Sequence, residues 1–232
     1  RHLQPLTSED EVILQEYGEK LKVTWYTQSG GLETVKPLNE AVSLSYSLPD
    51  HDIKMTFLPT DFTQVNFELN QKMINLALQL LDLNKEDEVI DLFCGLGNFT
   101  LPISRYVKTV VGIEGDSGLV ERAKENASQN GVSNASFYKA DLFEDVSGFE
   151  WFRGKKYSKA LIDPARSGAI EIVELLPRLD VERLVYVSCN PSTLARDTSR
   201  LIDLGFTLSS AGVMDMFPQT AHVESIALFL KK

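Results

Sequence analysis

From residue 88 to residue 230 the chain alternates short apolar runs with stretches of helical spacing, and that alternation limits the fold more than any other feature. The apolar runs fall at 88–92, 109–113, 135–138, 158–162, 183–188, near 206–214 and at 225–230. Helical spacing covers 118–130, 169–178 and 192–204, with Gly131 and Gly205 closing the first and the last. Strands this apolar need cover on both faces, and the intervening helices supply it. The pattern therefore predicts a doubly wound, mostly parallel α/β sheet of seven strands. Only DMFPQTAHVE separates the last two runs, too little for the helical crossover that parallel strands require, so the sheet is predicted to finish in an antiparallel hairpin.

The front of the chain reads differently. Residues 8–20 are predicted to be helical, opening on Ser8 and Glu11 at capping-box spacing. Alternating stretches at 22–27, 42–47 and 53–58, separated by Gly30-Gly31 and Pro49-Asp50, predict antiparallel strands. Pro59 and Thr60 mark the expected boundary: 1–59 as part of a small α+β subdomain, 60–232 as a catalytic domain. Phe67, Met73, Ile74, Ala77, Leu78 and Leu81 then recur at helical spacing and lead into the first strand of the sheet. A chain of 232 residues has room for one sizeable core and a small appendage.

Composition narrows the function classes. A net charge of −10 opposes binding to a phosphate backbone unless a local basic patch or a module outside this stretch supplies cations. Cys94 and Cys189 are expected to be free thiols, and the scattered His2, His51 and His222 do not form metal-ligand spacing, so no metal is expected. No run of about 18 apolar residues and no leader pattern occurs, which predicts a cytoplasmic protein away from membranes. The chain starts at Arg1 and its earliest methionine is Met55, as expected of a portion of a longer gene product.

The loop DLFCGLGNF at 91–99 follows the strand that ends near Asp91, and Gly95 and Gly97 allow a ligand to approach the backbone. Glu114, at the tip of the next strand, is placed to accept ribose hydroxyls, and Asp141, at the tip of the third, to meet an adenine amino group. Either carboxylate also reads as an ordinary strand-end or turn residue; it is their occurrence at successive strand ends that points to a nucleoside. NAD would suit a ribose-gripping glutamate, but its pyrophosphate favours GxGxxG. Here Asn98 and Phe99 stand where that motif is relaxed, which favours S-adenosylmethionine, and the antiparallel finish of the sheet resembles class I methyltransferases with their Rossmann-like fold.

Cys189 follows the strand RLVYVS, at the edge where open α/β sheets place their chemistry. The helix starting near Ser192 is expected to favour its thiolate; a buried structural cysteine is the plainer reading. Asp163-Pro164-Ala165-Arg166 ends the fourth strand without the aromatic residue typical of amine methylation. A carbon target explains this combination better. Thiolate addition to carbon 6 of a pyrimidine makes carbon 5 nucleophilic, and a base must then remove its proton. Glu224 is the candidate base.

With these residues the chain resembles the RNA uracil-5-methyltransferase family, and within it the bacterial enzymes that form 5-methyluridine in 23S ribosomal RNA. The likeness is carried by FTQVNFELNQKM at 62–73, DLFCGLGNFTLP at 91–102, VVGIE at 110–114, DPARSG at 163–168, VYVSCNPSTLARD at 185–197 and DMFPQTAHVES at 215–225. The resemblance implies Cys189 as nucleophile and Glu224 as base. It implies Gln64, Phe93, Gly95, Asn98, Glu114, Asp141 and Asp163 around the methyl donor, with Phe62, Gln64, Asp163, Arg166 and Asn190 toward a flipped uridine; Phe62 reads equally as core packing and Lys72 as solvated surface. Family members carry an N-terminal RNA-binding barrel, and some hold an iron-sulfur cluster through four cysteines; neither is found in this stretch, which reads as a catalytic fragment. Transfer RNA as substrate, a non-catalytic RNA-binding or assembly module, and a hydride-transfer enzyme are the competing readings.

Overall fold

A computed structural model describes residues 1–231. Within it the chain divides into two units, Arg1–Ser45 with Thr56–Thr63, and Tyr46–Met55 with Gln64 onward.

In the first unit α1 spans Ser8–Leu21. Its cap is Thr7, not Ser8: the Thr7 hydroxyl accepts from Asp10 N–H at 3.2 Å, and the Asp10 carboxylate accepts from Thr7 N–H at 2.9 Å. The capping box expected at Ser8 and Glu11 thus forms one residue earlier, where Thr7 has the extended backbone a cap needs. Lys22 turns left-handed (φ 55°) and its N–H returns to the helix, as does that of Val23. Those residues stop the helix, so the strand expected over 22–27 shrinks to β1 (Tyr26–Thr27), paired antiparallel with β2 (Lys36–Pro37). Strands β3 (Leu44–Leu48) and β4 (Ile53–Phe57) form a two-stranded sheet whose tip, Tyr46–Met55, belongs to the second unit.

The second unit continues with α2 (Phe67–Leu81), capped by the Asn66 side chain and burying Met73, Ile74, Ala77, Leu78 and Leu81. Then come β5 (Glu88–Leu92), α3 (Thr100–Ser104), β6 (Thr109–Glu114), α4 (Ser117–Gln129) and β7 (Ala135–Lys139). After them run β8 (Lys159–Ile162), α5 (Ile170–Val173), β9 (Arg183–Ser188), α6 (Pro191–Asp203), β10 (Phe206–Met214) and β11 (Glu224–Lys231). The seven-stranded sheet has the order β10-β11-β9-β8-β5-β6-β7. Strands β5 to β9 are parallel, and β11 is antiparallel to both β9 and β10. The doubly wound sheet and its antiparallel finish are as the sequence predicts.

One departure is the helix expected over 169–178. Pro177 has no N–H to donate and its ring crowds the carbonyl of Val173, so α5 ends there and a separate short turn of 3₁₀ helix covers Leu176–Leu179. Ile90, Leu92, Ile162, Tyr186, Phe229 and Trp151 are fully sealed in the core, each aliphatic side chain contributing roughly 1.5–3 kcal/mol by burial. The chain runs outward from β5 through β6 to β7 and returns on the other side of β5 as β8. That reversal falls between β5 and β8, and open α/β sheets bind ligands at the carboxyl ends of strands at such a switch point.

Candidate active site

The turn after β5 is built on unusual backbone. Gly95 and Gly97 have φ of 55° and 97°, and Phe93 is left-handed at 67°. For a bulky residue that conformation costs about 1–3 kcal/mol. The turn is held by Cys94 N–H to Ile113 O and Gly97 N–H to Cys94 O, both 2.9 Å. A Cβ on Gly95 would meet nothing within 4 Å, so this side of the loop faces open space. Cys94, only 5% exposed, points the other way, its sulfur lying 2.9 Å from where Gly112 would carry a Cβ.

Glu114 ends β6 and is fixed against the loop: one oxygen accepts from Gly95 N–H at 3.0 Å and the other from Asp116 N–H at 2.9 Å. Asp141 follows β7 and accepts from Phe143 N–H at 3.0 Å, while the Phe143 ring lies 5.7 Å from that of Phe93. Two carboxylates and two rings thus line successive strand ends. Asn98 turns inward instead. It exchanges both amide hydrogen bonds with the buried Asn70, at 2.9 and 3.0 Å, and accepts from the Tyr46 hydroxyl at 2.9 Å. Its side chain braces the loop from beneath.

Gln64 Oε1 and Asp91 Oδ1 are buried without a hydrogen-bond partner among the described residues. An unpaired buried acceptor costs roughly 1–3 kcal/mol, so both call for a donor. The second Asp91 oxygen accepts from the Thr100 hydroxyl. Burial, reinforced by the nearby Glu114, pushes the Asp91 carboxyl up to about 7. A ligand with an ammonium group, a ribose diol and an adenine matches this donor-hungry set, and S-adenosylmethionine has all three. Asp91 was not among the contacts expected from the sequence, although its signal is there as the strand-end carboxylate that opens DLFCGLG.

The register of β9 and β11 assembles the other half. Ser188 pairs with Ser225, so the next position along each strand sets Cys189 beside Glu224. Asp163 follows β8, the neighbour of β9. Glu224 is 5% exposed, and burial raises its pKa while Arg166 opposes the rise. Asp163 is pushed up to about 7 by burial, then by Glu224 and Asp91. The Cys189 thiol is pushed up by desolvation, then by Glu224 and Asp163, with its own backbone and Arg166 pulling the other way. This corrects the expectation that the helix end favours thiolate. Helix α6 does begin at Pro191, but burial first, and then the carboxylates brought in by β8 and β11, push the thiol up from its ordinary value.

Arg166 reaches His222, Nη2 to Nδ1 at 3.0 Å. Both polar ends of Asn190 are engaged: Oδ1 caps Ser192 N–H at 3.1 Å and Nδ2 donates to Arg166 O at 2.9 Å. Phe62, in the first unit, is 73% exposed and so is not core packing, and Lys72 is exposed. Cys94 and Cys189 are both free thiols. Among the described residues no helix is long and apolar enough to cross a membrane.

The family model described as tRNA (Uracil-5-)-methyltransferase matches residues 18–232. The whole chain is 68% identical over 232 residues to the 23S rRNA (uracil(1939)-C(5))-methyltransferase RlmD of Vesicomyosocius okutanii subsp. Calyptogena okutanii, spanning 53% of it. It is 54% identical over 234 residues to the enzyme of the same name from Xanthomonas campestris pv. campestris, spanning 52%. The chain thus spans about half the length of the curated relatives it matches. Among solved structures, the Pyrococcus abyssi tRNA (uracil-54, C5)-methyltransferase in complex with S-adenosyl-L-homocysteine superposes with a TM-score of 0.72 at 25% identity, over 90% of this chain and 50% of that one. M. jannaschii TYW2 in complex with AdoMet, at 18% identity and a TM-score of 0.62 over 85% of this chain and 91% of that one, shares the fold. By the extent of the family match, this chain belongs to the tRNA (uracil-5-)-methyltransferase family.

Proposed function

We propose that the chain is the catalytic part of an S-adenosylmethionine-dependent methyltransferase acting on carbon 5 of a uridine in 23S ribosomal RNA, through a covalent Cys189 adduct at carbon 6. The observation that carries the mechanism is the β9–β11 register, which sets a thiol beside a buried carboxylate at the edge where the Gly95 loop opens. The likeness to the RlmD enzymes supports the substrate. Ribosomal RNA as substrate would place the protein in the cytoplasm.

Carbon 5 of uracil is a weak nucleophile. The Cys189 sulfur bonds to carbon 6, its proton leaving to Asp163 so that Glu224 stays ionised, and the ring electrons shift toward carbon 5 as an enolate. When bound, S-adenosylmethionine supplies an electrophilic methyl group on a sulfonium sulfur. Gln64, Asp91, Glu114 and Asp141 would hold the donor that supplies this methyl group to carbon 5, while Cys189 keeps the ring in its activated form. Glu224 then takes the proton still on carbon 5, the double bond re-forms, and the carbon–sulfur bond to Cys189 breaks. Gln64 and Asp91 are assigned to the ammonium end of the donor, Glu114 to its ribose, Asp141 to its adenine, with Phe93 and the Gly95 backbone as walls. Asp163 and Arg166 are assigned to the flipped base. We place the catalytic domain at 60–232 and assign RNA capture to the remainder of the longer protein, because extracting a uridine costs a few kcal/mol and this stretch carries a net charge of −10.

Incubating the protein with 5-fluorouridine-substituted 23S RNA tests the adduct directly. A denaturation-resistant complex that Cys189→Ala abolishes is expected, and Glu224→Gln should accumulate such a complex on ordinary RNA. Its absence in both cases refutes covalent catalysis. The Pyrococcus abyssi neighbour and the family description favour transfer RNA as the second reading, which methylation assays with both RNAs would decide.

A further inference from the structure

Helix α6 does more than follow the nucleophile. Asp197, in its second turn, is 0% exposed, and its carboxylate gathers donors from three separate segments. One oxygen accepts from Ala169 N–H at 2.8 Å and from the Tyr186 hydroxyl at 2.7 Å; the other accepts from Arg196 Nε at 2.7 Å. Arg196 in turn donates through Nη2 to Ser167 O at 3.0 Å. Gly168 lies between them at φ 79°, and a Cβ there would sit 2.7 Å from the Asp197 oxygen and 2.6 Å from Arg196 Nη2. The backbone therefore approaches this ion pair as closely as a residue without a side chain allows.

The three segments are those whose ends carry the proposed chemistry. Tyr186 stands on β9 three residues before Cys189, the 163–169 loop bears Asp163 and Arg166, and Asn190, next to Cys189, holds the carbonyl of Arg166. Asp197 is sealed while its partner Arg196 is half-exposed, and an ion pair with a buried member adds little to stability compared with apolar packing, so its value lies in the geometry it specifies. We infer that Asp197, with Arg196, is a positioning residue: it latches the loop that presents Asp163 and Arg166 onto the strand that presents Cys189, and so sets the approach of the thiol to carbon 6. This deepens the proposed function and rests on it.

The test uses the full-length protein, with S-adenosylmethionine affinity read by calorimetry and adduct formation read on 5-fluorouridine-substituted 23S RNA. Asp197→Asn keeps the shape but presents an amide to groups that are themselves donors. A misplacement of about 1 Å costs on the order of 100-fold in rate, so adduct formation and kcat should fall by about that factor, with S-adenosylmethionine affinity within about twofold. Gly168→Ala should give the same split by pushing the loop off the latch. Tyr186→Phe, which removes a single hydroxyl, keeps the question answerable should the other two fail to fold; a loss of about fivefold in the same direction is expected. A folded variant that forms adduct at an undiminished rate overturns the inference, as does an equal loss of affinity and rate, the mark of general damage. No adduct from the unsubstituted protein overturns the proposed function and this inference with it; adduct there with undiminished variants overturns this inference alone.

Discussion

The two units are held by different physics. In the first, α1 buries only Gly18, while Val12, Ile13, Tyr17 and Leu21 stay exposed. What organises it is local: a capping box, a left-handed stop and two-residue strands. In the second, the sheet seals large side chains on both faces, and the same strands deliver the acids and the thiol to one edge. Local devices end helices, but only long-range pairing makes a site.

The sharpest way to break that contrast is through chemistry. Cys189→Ala should lower turnover by about 10⁴-fold or more while leaving S-adenosylmethionine affinity intact by calorimetry; an equal loss from Ile13→Ala on α1 would end the distinction. Stability comes next. Ile90→Ala should cost about 2–5 kcal/mol in denaturant unfolding, against about 0.5 kcal/mol or less for Ile13→Ala. Asp91 gives a comparable, pH-dependent effect. Its carboxyl is raised from 3.8 to about 7, so between those pH values the folded chain keeps a proton that the unfolded chain gives up, and stability falls as pH rises through the window. Asp91→Asn should therefore gain on the parent from pH 4 to pH 8, by on the order of 4 kcal/mol in thermal melts. Last, Thr7→Ala should lose about 1 kcal/mol of helix stability, seen as faster amide exchange in the first turn of α1 and not in the sheet.

The strands were legible because each is a continuous apolar run, and Cys189 and Glu224 because each abuts such a run at its carboxyl-edge end. Three things were not. The raised Cys189 thiol escaped because the helix end is local to it, whereas its burial and, after that, Glu224 and Asp163 arrive through β11 and β8. The inward role of Asn98 depends on Asn70, 28 residues away, and on Tyr46. Asp197 looks like a solvated helix residue until the loop carrying Gly168 is laid against it. In each case the missing fact was a partner distant in sequence.

The opposite settings of the two sulfurs have a practical consequence. Cys94 is walled in behind Gly112, whereas Cys189 opens to solvent at the sheet edge. A small uncharged alkylating reagent should consume one equivalent of native protein sulfur and two after denaturation, sluggishly at neutral pH and faster in alkali. Counting that first equivalent would measure the fraction of competent molecules in any preparation, with neither RNA nor labelled methyl required.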